Sequence, residues 1–234
     1  MLVPVDVLAV GAHPDDVELG CAGTLLKMID KGKTVGIVDL TRGELGSRGT
    51  AEQRTDEAQK AATLLKASFR ENFELPDGDL EVTSNGRLRL VEVIRRSRPS
   101  VVVTHFRGIH PDHSKARWLV DEAVHHAGLA RIETESARFR PSLVAYWIEF
   151  REAVLPQVLV DITAYYDKKV EVLQSYQSQI NGEAEEGPET YLSRPGFLDQ
   201  VRAFHQHLGN LTGCTLAEGF CLSRPPRLVD LLQA

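Results

Sequence analysis

Short apolar runs alternate with helical stripes through the first half of this chain. Residues 5–11 (Val5-Asp6-Val7-Leu8-Ala9-Val10-Gly11) read as a buried strand, and Glu18 to Lys31 as a helix with Leu19, Ala22, Leu25, Leu26 and Ile29 on one face. Lys33 to Leu40 is a second β-branched run, followed by a polar, glycine-rich loop over residues 41–49. Thr50 and Gln53 have capping-box spacing, which predicts a helix from Ala51 to about Lys66. A third strand falls at Phe69 to Leu75, a turn at Pro76-Asp77-Gly78, a helix at Asn85 to Arg98 and a fourth strand at Ser100 to His105. From Leu143 the pattern changes. Residues 143–150 and 157–161 read as shorter strands, with antiparallel addition at the sheet edge an option. Ile162 to Ser178 and Glu189 to Leu208 read as helices, and 214–221 as one more strand.

This alternation predicts the α/β class: a Rossmann-like, doubly wound, mostly parallel sheet with helices on both faces. The expectation is one domain over 1–234, with 1–130 as the Rossmann-like half and 131–234 as a C-terminal α+β extension. In such folds ligands bind at the carboxyl ends of the strands. Two polar clusters stand there. His13-Pro14-Asp15-Asp16 follows the first strand, and His110-Pro111-Asp112-His113 follows the fourth.

A strand-to-helix turn raises the dinucleotide reading, but that needs glycines where a pyrophosphate meets the backbone, and here two carboxylates stand instead. A metal fits better. His13 and Asp16 are three apart at the start of a helical turn, and His113 completes a set of two nitrogens and one carboxylate. Three protein ligands leave a position open, the pattern of catalytic zinc, and ferrous iron accepts the same donors. Asp15, free of a ligand role, is the candidate general base and acid. His110 and Asp112 read as a dyad in which Asp112 favours the imidazolium, which then faces an oxyanion; helix capping is the alternative role for Asp112. His105 ends a strand near the site and reads at least as well as a structural hydrogen-bonding group. Adjacent His125 and His126 diverge on their helix, and His205 and His207 cannot share a face.

The remaining composition narrows the partners. A net charge of −6 opposes nucleic-acid binding, while Arg42, Arg48, Arg54 and Arg107 near the clusters suit a small anionic substrate. No apolar stretch approaches the ~18 residues of a membrane span, and the N-terminus lacks a signal-peptide pattern. Cys21, Cys214 and Cys221 lack CxxC spacing and read as reduced thiols, so a cytoplasmic location is expected. Tyr191 and the acidic stretch at 183–190 read as a lid or a solvated loop.

With those residues in place, the chain resembles the PIG-L/LmbE-type zinc-dependent N-acetylglucosamine deacetylases. The likeness rests on Ala12-His13-Pro14-Asp15-Asp16 and His110-Pro111-Asp112-His113, supported by Thr41-Arg42-Gly43-Glu44 and the helix carrying Arg54. Gly-Glu-Leu-Gly-Ser-Arg-Gly-Thr and Arg54-Glu57-Ala58 make it most similar to the deacetylases of bacillithiol biosynthesis, which act on N-acetylglucosaminyl-malate. The chain departs at Gly108-Ile109, where relatives often carry Asp-Arg, and Arg107 is displaced. The resemblance implies His13, Asp16 and His113 as zinc ligands, Asp15 as base and acid, and His110 as oxyanion stabiliser oriented by Asp112. Expected substrate contacts are Glu44, Arg54, Arg107 and Tyr191, toward an amino sugar with an anionic aglycone. It further implies a homo-oligomer, with a hexamer among the expected forms. Rival readings are a deacetylase of a chitobiose-like or glycolipid substrate, a thiol-conjugate amidase, and a non-catalytic, metal-containing carbohydrate-binding protein.

Overall fold

The protein is described by a computed structural model covering residues 3–180 and 187–226. Its elements run β1 (Val7–Gly11), α1 (Asp16–Asp30), β2 (Val35–Thr41), α2 (Ala51–Leu65), β3 (Phe69–Leu75), α3 (Ser84–Ser97), β4 (Val101–His105), α4 (Pro111–Ala127), β5 (Leu143–Trp147), β6 (Val158–Asp161), a 3-10 turn (Thr163–Tyr165), α5 (Tyr166–Leu173), α6 (Gln177–Ile180), α7 (Phe197–Asn210) and β7 (Ala217–Leu222). Among the described residues the strands form one seven-stranded sheet in the order β3-β2-β1-β4-β5-β7-β6. β1 to β5 are parallel, and β7 and β6 join the far edge antiparallel. The second part of the chain thus extends the same sheet. β5 belongs to the parallel set, which corrects the antiparallel option for 143–150.

Alternation within β1 splits the core across the sheet. Val7 and Ala9 face α1, α2 and α5, while Leu8 and Val10 face α3 and α4. Strands buried on both faces read as continuous apolar runs, which is why the first, second and fourth strands were legible.

Two predicted helices are corrected. The span 162–178 breaks into the 3-10 turn, α5 and α6, because the chain turns after Leu173 to bury Tyr176 and bring Ser178 to the Glu57 carboxylate of α2. The span 189–208 becomes helical only at Phe197, since Pro195 and Gly196 (φ 79°) precede it. Residues 183–186 of the expected lid lie outside the described residues. Among the described residues no helix is long and apolar enough to cross a membrane.

Buried charges fix α1 at two heights. Near its start, Arg70 of β3 donates to both oxygens of Asp39 (2.6 and 2.8 Å) and to Glu18 (2.6 Å). Mid-length, Glu218 of β7 accepts the N–H groups of Gly23 and Thr24 at 2.9 and 2.7 Å. Lys169 of α5 then spans Glu218 (2.6 Å) and the Leu19 carbonyl (2.8 Å). Both partners of that second pair are fully buried and hydrogen-bonded, as buried charges must be.

Candidate metal centre and active site

β1 and β4 are neighbours, yet the chain leaves them toward opposite edges of the sheet. The loops beyond their carboxyl ends therefore part and open a crevice. The turn after β1 delivers His13, Asp15 and Asp16 into it, and the turn after β4 delivers His110, Asp112 and His113.

Asp16 is the hub. Its Oδ2 accepts the His13 backbone N–H at 2.7 Å and lies 3.3 Å from His13 Nδ1, while its Oδ1 lies 3.3 Å from His113 Nε2. The opposite nitrogens face outward to carboxylates. His13 Nε2 lies 3.0 Å from Asp77 and 3.2 Å from Asp112, and His113 Nδ1 lies 2.7 Å from Glu149. An outer carboxylate draws the ring proton to its own side and leaves the inner lone pair for a cation. Bonds of ~2.0–2.1 Å at tetrahedral angles separate two donors by about 3.3–3.4 Å. The 3.3 Å approaches of His13 Nδ1 and His113 Nε2, each to a different oxygen of Asp16, match that edge, and three overlapping groups have donors close enough to share a cation: His13 with His110 and His113, Asp16 with His105 and His113, and His13 with Asp77 and Asp112.

The charges agree. Burial works against an ionised Asp16, yet His113, His105 and His13 hold its pKa well below the usual carboxylate range. Burial likewise opposes protonation of the two rings, but Asp16 and the outer carboxylates raise His13 well above its ordinary value and His113 to about 10. In effect the carboxylates call for positive charge between them. His105, fully buried, also reaches the centre: its Nε2 lies 3.3 Å from Asp16 Oδ2 and 3.2 Å from the Ala12 N–H, and its Nδ1 faces Glu149 at 3.2 Å. Its ring stacks on His113 (4.1 Å) and packs against Trp147 (4.5 Å), so it supports the centre from below.

Asp15 has different surroundings. It sits at φ 109°, a strained conformation for a non-glycine residue, and burial pushes its pKa up to about 7 against the pull of Arg54. Arg54 Nη2 meets Asp15 at 3.3 Å and the Pro14 carbonyl at 2.9 Å, while Nη1 donates to the Gly43 carbonyl at 2.9 Å. Its Nε is buried, with no hydrogen-bond partner among the described residues. The guanidinium therefore clamps Asp15 and the loop after β2. Arg54 also lines the cavity, where the sequence placed it as a substrate contact.

The other expected residues fall in varied positions. Asp112 does not hold His110, which lies 4.0 Å away. Its carboxylate is turned inward to His13 and accepts the N–H groups of Gly78 (2.8 Å) and Leu80 (3.3 Å). His110 caps α4, its Nδ1 accepting the Asp112 N–H at 3.3 Å. Partial burial and the nearby His13 and His113 lower its pKa, and a ring whose Nδ1 accepts a hydrogen bond carries its proton on Nε2. Glu44 is exposed and accepts the Asp77 N–H at 2.9 Å, away from the cavity wall. Arg107 packs over Phe106 (5.2 Å), also off the wall. Tyr191 does line the cavity.

Two residues at the centre escaped the sequence reading. Asp77 was visible only as part of a turn, and Glu149 sat inside a predicted strand. The chain leaves the sheet after Trp147, which aims Glu149 at His105 and His113. Gly108 explains the departure noted in the sequence: at φ 70° a Cβ there would lie 2.3 Å from the His113 side chain. The cavity above the centre measures ≈ 490 Å³.

A family model described as GlcNAc-PI de-N-acetylase (PIG-L) matches residues 8–124, from β1 through most of α4. The chain belongs to the PIG-L family. A diacetylchitobiose deacetylase from Thermococcus kodakarensis is 29% identical over 227 residues, 91% of this chain and 81% of its own. The probable N-acetyl-α-D-glucosaminyl L-malate deacetylase 2 of Bacillus anthracis is 31% identical over 191 residues, 74% of this chain and 81% of its own. Among solved structures, the conserved protein TT1542 from Thermus thermophilus superimposes with a TM-score of 0.87 at 36% identity, covering 97% of this chain and 98% of that one. The PIG-L match holds every residue of the centre except Glu149, which the segment after β5 supplies from outside it.

Proposed function

We propose that this chain hydrolyses the acetamide of an N-acetylglucosaminyl compound, releasing acetate and the free amine. The observation that carries the reading is a pair of adjacent carboxylates with opposite surroundings. Asp16 is held ionised among imidazoles, whereas Asp15, buried against Arg54, takes a proton near neutrality. Two titratable groups driven apart in this way are suited to separate roles.

His13 Nδ1, Asp16 and His113 Nε2 would hold a divalent cation, zinc by preference with ferrous iron second, which supplies Lewis-acid polarisation of the scissile carbonyl. Asp15 takes the proton of the attacking water at its carboxylate and returns it to the nitrogen as the C–N bond breaks. Arg54 keeps that carboxylate aimed. His110, as a neutral ring, donates Nε2–H to the carbonyl oxygen as it gains charge.

The substrate class is supported by the relatives, which are deacetylases of diacetylchitobiose and of N-acetyl-α-D-glucosaminyl L-malate; the shared unit is N-acetylglucosamine. The malyl glycoside and a chitobiose-like glycoside are both candidates. Metal-loaded protein incubated with such glycosides is expected to release amine and acetate in equal amounts. Asp15→Asn is expected to keep its metal and lose ~10²–10⁴ in kcat. Full turnover in Asp15→Asn removes Asp15 as the base, and no amine from any N-acetylglucosaminide removes the deacetylase reading.

A further inference from the structure

Beyond β4 and β5 the chain enters two loops that together hold the His113 ring. The ladder between these strands ends where the Phe106 N–H meets the Trp147 carbonyl at 3.0 Å. Among the described residues no backbone pair joins the loops farther out, at 107–110 and 148–156. A side chain does so instead. Glu152 accepts the Gly108 N–H on Oε1 at 3.0 Å and the Glu149 N–H on Oε2 at 2.8 Å, one oxygen for each loop. Its own N–H donates to the Glu149 carbonyl at 3.0 Å, which closes the turn that carries it.

Both anchored residues bear on His113. Gly108 lies so close to the ring that a Cβ there would meet its Nδ1 at 2.3 Å. Glu149 lies 2.7 Å from that same Nδ1, and His105 stacks on the ring with centroids 4.1 Å apart. Two of these three restraints therefore hang on Glu152. His113 in turn belongs to two of the three groups of donors close enough to share a cation. Glu152 stands outside those groups and does not line the cavity. Its reach is through the groups it holds, by hydrogen bonds to a charged acceptor, which are about twice as strong as neutral ones.

We propose that Glu152 is a positioning residue of the metal centre, fixing the His113 ring through Gly108 on one side and Glu149 on the other. This rests on the metal-dependent reading given above and adds to that site a residue from outside the family match. An amide cannot do the same work. It has one acceptor oxygen, so its NH₂ would face the N–H of one loop. The nearly isosteric Glu152→Gln therefore releases one loop, and Glu152→Ala releases both.

Competition with a chromophoric chelator gives the zinc Kd of each variant, and circular dichroism of the metal-free protein checks its folding. Glu152→Ala is expected to bind zinc about tenfold more weakly, as losses behind a ligand do, with Glu152→Gln between it and wild type. In a Glu149→Gln background Glu152→Ala is expected to cost distinctly less than it does alone, because one of its two routes to His113 is already lost. Should Glu152→Ala fail to fold, the same comparison is made with Glu152→Gln. A wild-type zinc Kd in the folded Glu152 variants overturns the inference. So does an equal loss in both backgrounds, the mark of a general loosening of the fold. Zinc held equally by wild type and His113→Ala, or by neither, removes the metal reading itself, whatever Glu152 does.

Discussion

Asp112→Asn tests which histidine the Asp112 carboxylate serves. Three donors converge on it: Gly78 N–H and His13 Nε2 on one oxygen, Leu80 N–H on the other. An amide has a single acceptor oxygen. Keeping that oxygen toward Gly78 and His13 sets the new NH₂ against the Leu80 N–H and turns two charge-assisted bonds into neutral ones. Hydrogen bonds to a charged group contribute ~1.5–3 kcal/mol and neutral ones ~0.5–1.5 kcal/mol, so His13 loses roughly 1–1.5 kcal/mol of restraint. Asp77, 3.0 Å from the same nitrogen, supplies what remains. At ~1.4 kcal/mol per factor of ten, zinc affinity is expected to fall about tenfold, the lower end of what outer-carboxylate losses cost. Competition with a chromophoric chelator measures the zinc Kd, and kcat is read at saturating zinc, where it should change far less. His110→Ala is expected to do the reverse, with an unaltered Kd and kcat lower by ~10²–10³. A wild-type zinc Kd in Asp112→Asn, joined to a His110-like loss of kcat, would refute this assignment and restore the Asp112–His110 dyad.

Three further substitutions probe the scaffold. Gly20→Ala puts a Cβ 2.6 Å from the indole of the fully buried Trp147, which backs His105. A loss of ~1–3 kcal/mol, with reduced turnover, is expected, and an unchanged melting midpoint would count against the packing described. Arg70→Leu strands Glu18 and Asp39 in the interior and is expected to cost ~3–5 kcal/mol in urea unfolding; a loss below about 1 kcal/mol would be too small for a buried network to have been broken. Lys66→Gly relieves the φ of 60° at the end of α2. It is expected to gain about 1 kcal/mol, or ~2–4 °C in Tm, with turnover untouched, and a lower Tm would contradict it.

The parallel half of the fold was legible because its strands are apolar on both faces and its helices carry clear stripes and caps, Thr50 with Gln53 among them. Strand direction was not legible at 143–150, since an apolar run carries no mark of which way it pairs. The break at Pro195-Gly196 was written in a turn dipeptide, but the apolar stripe around it reads straight through. At the centre, two clusters four residues long announced His13, Asp16 and His113. Asp77 and Glu149 carry no such mark: each is a lone carboxylate that reaches the histidines only through the meeting of distant turns. The turn of Asp112 toward His13 was hidden for the same reason. Adjacency to His110 in sequence suggested a pair, while the backbone of α4 turns the two side chains apart.

The Lys169–Glu218 pair carries a consequence for anyone who would shorten this protein. Helix α1 holds Asp16 at its first turn, and its middle is anchored by two side chains that enter the fold more than a hundred residues later in the chain. A fragment ending near residue 130 would keep every proposed metal ligand in its sequence, yet it would leave the polar backbone at Leu19, Gly23 and Thr24 without those side chains and expose the apolar flank of β4 where β5 docks. Such a truncated piece should not hold its ion: the grip at one end of the molecule is set by a bolt driven in from the other.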